Sequence, residues 1–183
     1  MRLETENAFA AVDTQALEAL VVGGVLSYVE KSVAPRPCRG SQPATRSIHR
    51  HAGYSCPSLH ALGAATNLYR MKRAVVRGGL ESQATIIRTA KHRLSKTEDV
   101  DLDRIGRIAR SYELAGLAFS LNDNCLTWSL TLAKNMLRCG IHVDVIFGVM
   151  ARPFLAHCWV QAGNTVLNEE VERTEQFTPI LVL

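Results

Sequence analysis

The chain has 183 residues, 47% of them hydrophobic and 21% charged, with a net charge of +4. This composition excludes a chain disordered throughout and fits one packed domain with a small appendage. The mild positive balance suits an acidic peptide or a membrane surface and is too weak to argue for nucleic acid.

The first residues lack the charged start, apolar run and small-residue cleavage site of a signal peptide, and the apolar run Val21–Val25 is too short to span a bilayer. The expectation is a cytoplasmic protein without a membrane span. Its five cysteines, Cys38, Cys56, Cys125, Cys139 and Cys158, are odd in number and contain no CxxC pair. That count fits a reducing compartment and offers no zinc or redox motif.

In chain order, Asp13 or Thr14 caps a first helix whose apolar residues, Leu17, Leu20, Val21, Val25 and Val29, follow helical spacing. From Pro35 to Pro57 the chain holds four prolines, two glycines and several arginines, and reads as a linker or long loop. Leu59, Leu62, Ala65 and Leu68 then mark a second helix. Gly78-Gly79 breaks it, and Ile86, Ile87, Ala90 and Leu94 continue helically. After a turn at Ser95–Asp101, with Asp101 or Asp103 at its start, a further helix runs through Leu102, Ile105, Ile108, Tyr112 and Ala115.

Beyond Leu121 the pattern changes. Asn122-Asp123-Asn124 supplies capping groups; Leu126, Leu130, Ala133 and Leu137 form a stripe; Gly140 stops the helix. Val143, Val145 and Phe147 alternate along a strand. Arg152-Pro153 turns the chain, His157–Gln161 forms a second strand, Gly163-Asn164 a tight turn, and Thr165–Asn168 a third strand. A helix followed by an antiparallel meander is an α+β fold, here with a mainly helical N-terminal region.

Cys125 falls in the first turn of its helix, where unpaired N–H groups and the helix dipole favour a thiolate and can bind an oxyanion. His157, on a facing strand, can take or hold the thiol proton. A third group should orient the imidazole, and the hairpin places one of two candidates just past its turn, Asn168 or Glu169, beside His157. A helical cysteine ordinarily packs as a small hydrophobe, and the polar cap with a downstream histidine is what singles out Cys125. Cys139 and Cys158 read as packing residues: if His157 faces the helix, Cys158 points away. Asp144 reads as an ordinary strand residue rather than the triad acid, and Trp128 and Trp159 as core anchors. His49, His51 and His60 with Cys56 match no metal site by spacing.

These motifs resemble those of the B proteins of lasso-peptide biosynthesis, the transglutaminase-like leader peptidases, over roughly residues 122–183. Cys125-Leu126-Thr127 with Ser129-Leu130 is similar to the nucleophile helix. Ile146-Phe147-Gly148-Val149, Arg152-Pro153-Phe154 and Ala156-His157-Cys158-Trp159-Val160 resemble the family's strand, turn and histidine strand. Val166-Leu167-Asn168-Glu169 resembles its acid motif, and Phe177–Val182 its closing segment. The resemblance implies a papain- or transglutaminase-like cysteine peptidase that cuts the leader from a ribosomally made precursor, with Cys125 as nucleophile, His157 as base and acid, and Glu169 as triad acid. The family usually has Asp at the last position, one methylene shorter, with an Asn before it as here.

The implied partners are the precursor peptide, an asparagine-synthetase-like macrolactam synthetase that uses ATP, and a separate leader-recognition protein. The peptidase step itself needs no cofactor and no metal. No opening β-hairpin of a leader-recognition domain precedes Phe9–Lys31. Residues 1–57 are therefore expected to be a truncated or degenerate recognition region plus linker, and 58–183 the transglutaminase-like domain with its helical lead-in. Two other readings remain open: a non-catalytic leader-binding scaffold for the synthetase, and an acyl or amide transferase on the same fold.

Overall fold

The computed structural model describes residues 42–48, 58–94, 101–116 and 125–183. The expected helix around Leu17–Val29, most of the Pro35–Pro57 segment with Cys38, His49, His51 and Cys56, and the Asn122–Asn124 cap lie outside these residues.

The described chain has one short strand, then three helices, then four strands with a short helix among them, an α+β arrangement. Helix α1, Ser58–His92, is interrupted at Gly79, whose φ of +71° and ψ of 171° are open to glycine and foreign to a helix. The buried stripe is Ala64, Leu68 and Met71, continued past the break by Ala84 and Ile87. The expected stripe through Leu59 and Leu62 is rotated away: these two are 81% and 66% exposed. Apolar periodicity identifies the helix, but its neighbours decide which stripe is buried.

Helix α2, Leu102–Gly116, starts where Asp101 Oδ1 accepts the Arg104 N–H at 2.9 Å. It buries Ile105, Ala109, Tyr112 and Ala115. Helix α3, Cys125–Arg138, is the central helix, with Leu130, Leu132, Ala133 and Met136 fully buried. It ends in a Schellman motif: Gly140, at φ +79°, bonds Leu137 O at 3.0 Å, and Ile141 N–H bonds Met136 O at 2.9 Å.

Among the described residues the sheet has five strands in the order β1–β4–β3–β2–β5. These are β1 Arg46–Ser47, β2 Asp144–Met150, β3 Leu155–Ala162, β4 Thr165–Val166 and β5 Thr178–Val182, with the short helix α4, Val171–Thr174, before β5. All neighbours are antiparallel except β1 and β4. β1 falls inside the expected linker. Arg46–Ser47 pair with Thr165–Val166, and Ile48 is buried, so a domain boundary at residue 57 leaves out part of the sheet.

β2 and β3 send alternate side chains to opposite faces. Val145, Val160 and Ala162 join the helical core, whereas Ile146, Trp159, Val166 and Phe177 form a second cluster behind the sheet. Both faces of β2 are therefore covered. β4 is shorter than expected. Leu167 N–H still reaches Val160 O at 2.9 Å, but the Val160 N–H goes to the Asn168 side-chain oxygen at 2.8 Å instead of a backbone carbonyl. The side chain ends the ladder and frees the backbone at Glu169.

Candidate active site

Cys125 is the first residue of α3 and His157 stands near the start of β3. Alternation along β3 puts His157 and Cys158 on opposite faces, and the condition that His157 faces the helix is not met. Cys158, not His157, faces the helix: its carbonyl accepts from Ser129 Oγ at 2.9 Å, and its thiol lies 3.5 Å from the Cys125 carbonyl oxygen. The His157 ring lies on the other face. It is stacked against Trp159 at 6.2 Å between centroids and 23° between planes, and tilted against Phe177 at 5.2 Å. The imidazole is still close enough to the Cys125 thiol for each to shift the other's ionisation, since both residues sit near the ends of their elements.

Glu169 completes the group. Its Oε2 is 3.0 Å from His157 Nε2. The ring N–H is directed off that line, so the buried contact is an ion pair more than a linear hydrogen bond. With Nε2 facing the carboxylate, Nδ1 is the nitrogen left for the thiol. Glu169 is itself held: Oε1 accepts the Glu170 N–H at 3.1 Å, Oε2 is 3.3 Å from Arg173 Nε, and its carbonyl accepts from Ser47 Oγ at 2.6 Å. Arg173 is 60% exposed, which leaves its attraction largely screened.

The charges follow from these contacts. Hydrogen bonds from Cys158 and then His157 lower the Cys125 thiol to about 4 against the opposing effect of burial. Burial presses His157 down, but its contacts with Cys125 and Glu169 outweigh it and raise the imidazole to about 9. Burial also opposes ionisation of Glu169; the bond to His157 and the Glu170 N–H overcome it and hold the carboxyl below its ordinary value. Cys158 moves the other way: its bond to Cys125, then burial, raises it far above a normal thiol. Near neutrality the site holds a Cys125 thiolate, a His157 imidazolium, a Glu169 carboxylate and a protonated Cys158 thiol. A paired thiolate at a helix N-terminus is poised for attack on an acyl carbon.

Asn168 is not turned to the imidazole. It is 4% exposed, its oxygen takes the Val160 N–H and its nitrogen donates to Ser129 Oγ at 2.9 Å. It ties the acid loop to β3 and α3, correcting its expected orienting role. Asp144 pairs with Lys91 and stands opposite Gln161, at the far end of β3 from His157. His60 is exposed on α1, and among the described residues no group of three His, Cys, Asp or Glu side chains could hold a metal ion.

Sequence reasoning missed Ser47, Ser129, Cys158 and Phe177 as parts of the site. Ser129 had a signal, one helical turn after Cys125. Ser47 and Phe177 had none, because each depends on which strands pair.

Among the described residues no helix is long and apolar enough to cross a membrane. Residues 68–182 match the sequence model of the transglutaminase-like superfamily. Over 67 residues the chain is 30% identical to the microcin J25-processing protein McjB of Escherichia coli, a match covering 35% of this chain and 32% of that protein. The chain thus spans about a third of that relative's length. No solved structure matches. With the helix-borne cysteine, the strand-borne histidine and its acid all inside the matched span, the chain belongs to the transglutaminase-like superfamily.

Proposed function

We propose that the protein is a cysteine peptidase that removes the leader from a ribosomally made lasso-peptide precursor. The observation that carries this reading is the joining of Cys125, His157 and Glu169 in one group with a thiolate–imidazolium pair. The similarity to a microcin-processing protein supports the choice of substrate.

The Cys125 thiolate adds to the scissile carbonyl. The unpaired N–H groups of the first turn of α3 hold the oxyanion. Imidazolium His157 protonates the leaving amine, which is the new N-terminus of the core peptide. Neutral His157 then takes a proton from water, and the resulting hydroxide releases the leader acid from the thioester. Glu169 holds the imidazole in place and stabilises its positive form. The freed amine passes to an ATP-using macrolactam synthetase, with a separate leader-recognition protein presenting the precursor.

The test is mass spectrometry of a precursor encoded nearby, incubated with the protein, with Cys125→Ala, and with the synthetase and recognition protein added. A single cut that disappears in Cys125→Ala supports the reading. Cutting by Cys125→Ala at the same rate would refute it, and binding without cutting would favour a scaffold. Since the triad does not choose between water and an amine acceptor, an amine-linked product would favour a transferase.

A further inference from the structure

Two cavities of about 240 and 540 Å³ lie among α1, α2 and α3, and neither is lined by the sheet. They share Asn67, Tyr112 and Asn135 and so lie side by side along one face of the helical layer, called here the groove. Arg70, Lys134 and Arg138 line the first, Arg104 and Arg107 the second, and among the described residues no carboxylate lines either. Among the described residues none of these five cations is in an ion pair. For a chain of net charge +4 that is a concentrated positive field. The floor is the buried Tyr112. Its oxygen accepts from Asn67 Nδ2 at 3.2 Å, so its own proton is left to donate. Exposed Leu59 and half-buried Ile108 add an apolar wall.

We propose that this groove binds an acidic segment of the peptide substrate at a distance from the cut. The proposal rests on the peptidase reading for the identity of the peptide. Lys134 and Arg138 follow Cys125 along the same helix, so at 1.5 Å per residue they lie about 14–20 Å from the thiol. An extended peptide covers that span in about 4–6 residues. The acidic segment therefore sits about 4–6 residues from the scissile bond, with apolar side chains interleaved to meet the Leu59–Ile108 wall.

The test uses the full chain and a fluorescein-labelled peptide of alternating Glu and Leu, with its Gln-Leu counterpart as control. Anisotropy should show binding of the Glu peptide alone. That binding should weaken at least tenfold from 50 to 500 mM salt, and at least tenfold in Arg70→Glu/Lys134→Glu. Iodoacetamide labelling of Cys125 in that variant should stay at the wild-type rate, which shows the fold intact. With the precursor the same variant should raise KM and leave kcat in place. Equal binding of both peptides, or no effect of the charge reversal, overturns the proposal, as does tighter binding of single-stranded DNA or polyphosphate. Binding as expected with no cleavage by wild type would instead count against the peptidase reading.

Cys125 and Cys158 carry a second inference by their contact. Both are free, and the Cys158 thiol donates to the Cys125 carbonyl oxygen at 3.5 Å, which sets the two side chains next to each other. We infer that Cys158 is a resolving thiol for Cys125 under attack by a hydroperoxide. The Cys125 thiolate takes the terminal oxygen, giving a sulfenic acid and releasing hydroxide or alkoxide. The Cys158 sulfur then attacks the Cys125 sulfur, and its proton leaves with the sulfenic hydroxyl as water.

One equivalent of hydrogen peroxide should yield a Cys125–Cys158 crosslink, 2 Da lighter, on non-reducing peptide mapping, with iodoacetamide reactivity restored by dithiothreitol. Cys158→Ala should instead accumulate sulfinic acid at Cys125 that dithiothreitol does not reverse. Wild type forming the same sulfinic acid with no crosslink overturns the inference.

Discussion

Glu169 Oε2 stands 3.0 Å from His157 Nε2, and Ser47 Oγ holds the Glu169 backbone carbonyl at 2.6 Å. The acid is thus fixed from a segment more than a hundred residues earlier in the chain, through a short strand at the sheet edge. Glu169→Gln keeps the shape and removes the charge. It should lower kcat about 10²- to 10⁴-fold, as loss of the orienting acid does in related triads. The His157 pKa should fall with it. A pre-steady-state assay on the precursor checks the rate, and histidine NMR the pKa; a variant within threefold of wild type would remove Glu169 from the triad.

The pH dependence follows from two shifts of opposite sign. Cys125, lowered to about 4, is a thiolate above that pH; His157, raised to about 9, is an imidazolium below it. Cleavage needs both forms, so kcat/KM should be bell-shaped with limbs near 4 and 9. Alkylation of Cys125 by iodoacetamide needs only the thiolate. It should fall on the acid side and persist above 9, where cleavage is lost. An alkylation profile with a single rise near the ordinary thiol pKa would contradict the ion pair.

Cys158 is the largest single influence lowering the Cys125 pKa. Cys158→Ala removes that donor, so the acid limb of the alkylation profile should move to higher pH. The small void should cost about 1 kcal/mol of stability. An unchanged acid limb would mean that His157 alone sustains the thiolate.

The helix-then-strands order, the break at Gly78-Gly79, the Gly140 stop and the hairpin turn were legible because each is local chemistry: glycine at positive φ or apolar spacing. Long-range pairing was not. Nothing within Arg46–Ser47 reveals that it will lie beside Thr165–Val166, and nothing in α1 says whether Leu59 or Ala64 faces inward. The parity of β3 is open in the sequence for a related reason. Alternation places His157 and Cys158 on opposite faces, but only the packing of α3 on Val160 and Cys158 decides which face meets the helix.

Gly148 stands opposite His157 in the sheet. A Cβ there would lie 2.8 Å from Phe177 Cβ and 2.9 Å from the Trp159 ring, the two residues that wall His157. Neither can swing clear easily. Gly148→Ala should cost about 1–3 kcal/mol through overpacking and displace the imidazole. Thermal unfolding and the upper limb of the pH profile should both move. A Tm unchanged from wild type would show that the wall yields.

Asn168 separates a packing role from an orienting one. Asn168→Ala strands the Val160 N–H and one acceptor site of Ser129 in the interior, at a cost of about 1–3 kcal/mol. Urea unfolding should show that loss. Well below the unfolding transition, kcat should stay within about threefold of wild type, because the imidazole keeps Glu169. A hundredfold fall in kcat at unchanged stability would reverse this and make Asn168, beside Glu169, a residue that positions the histidine.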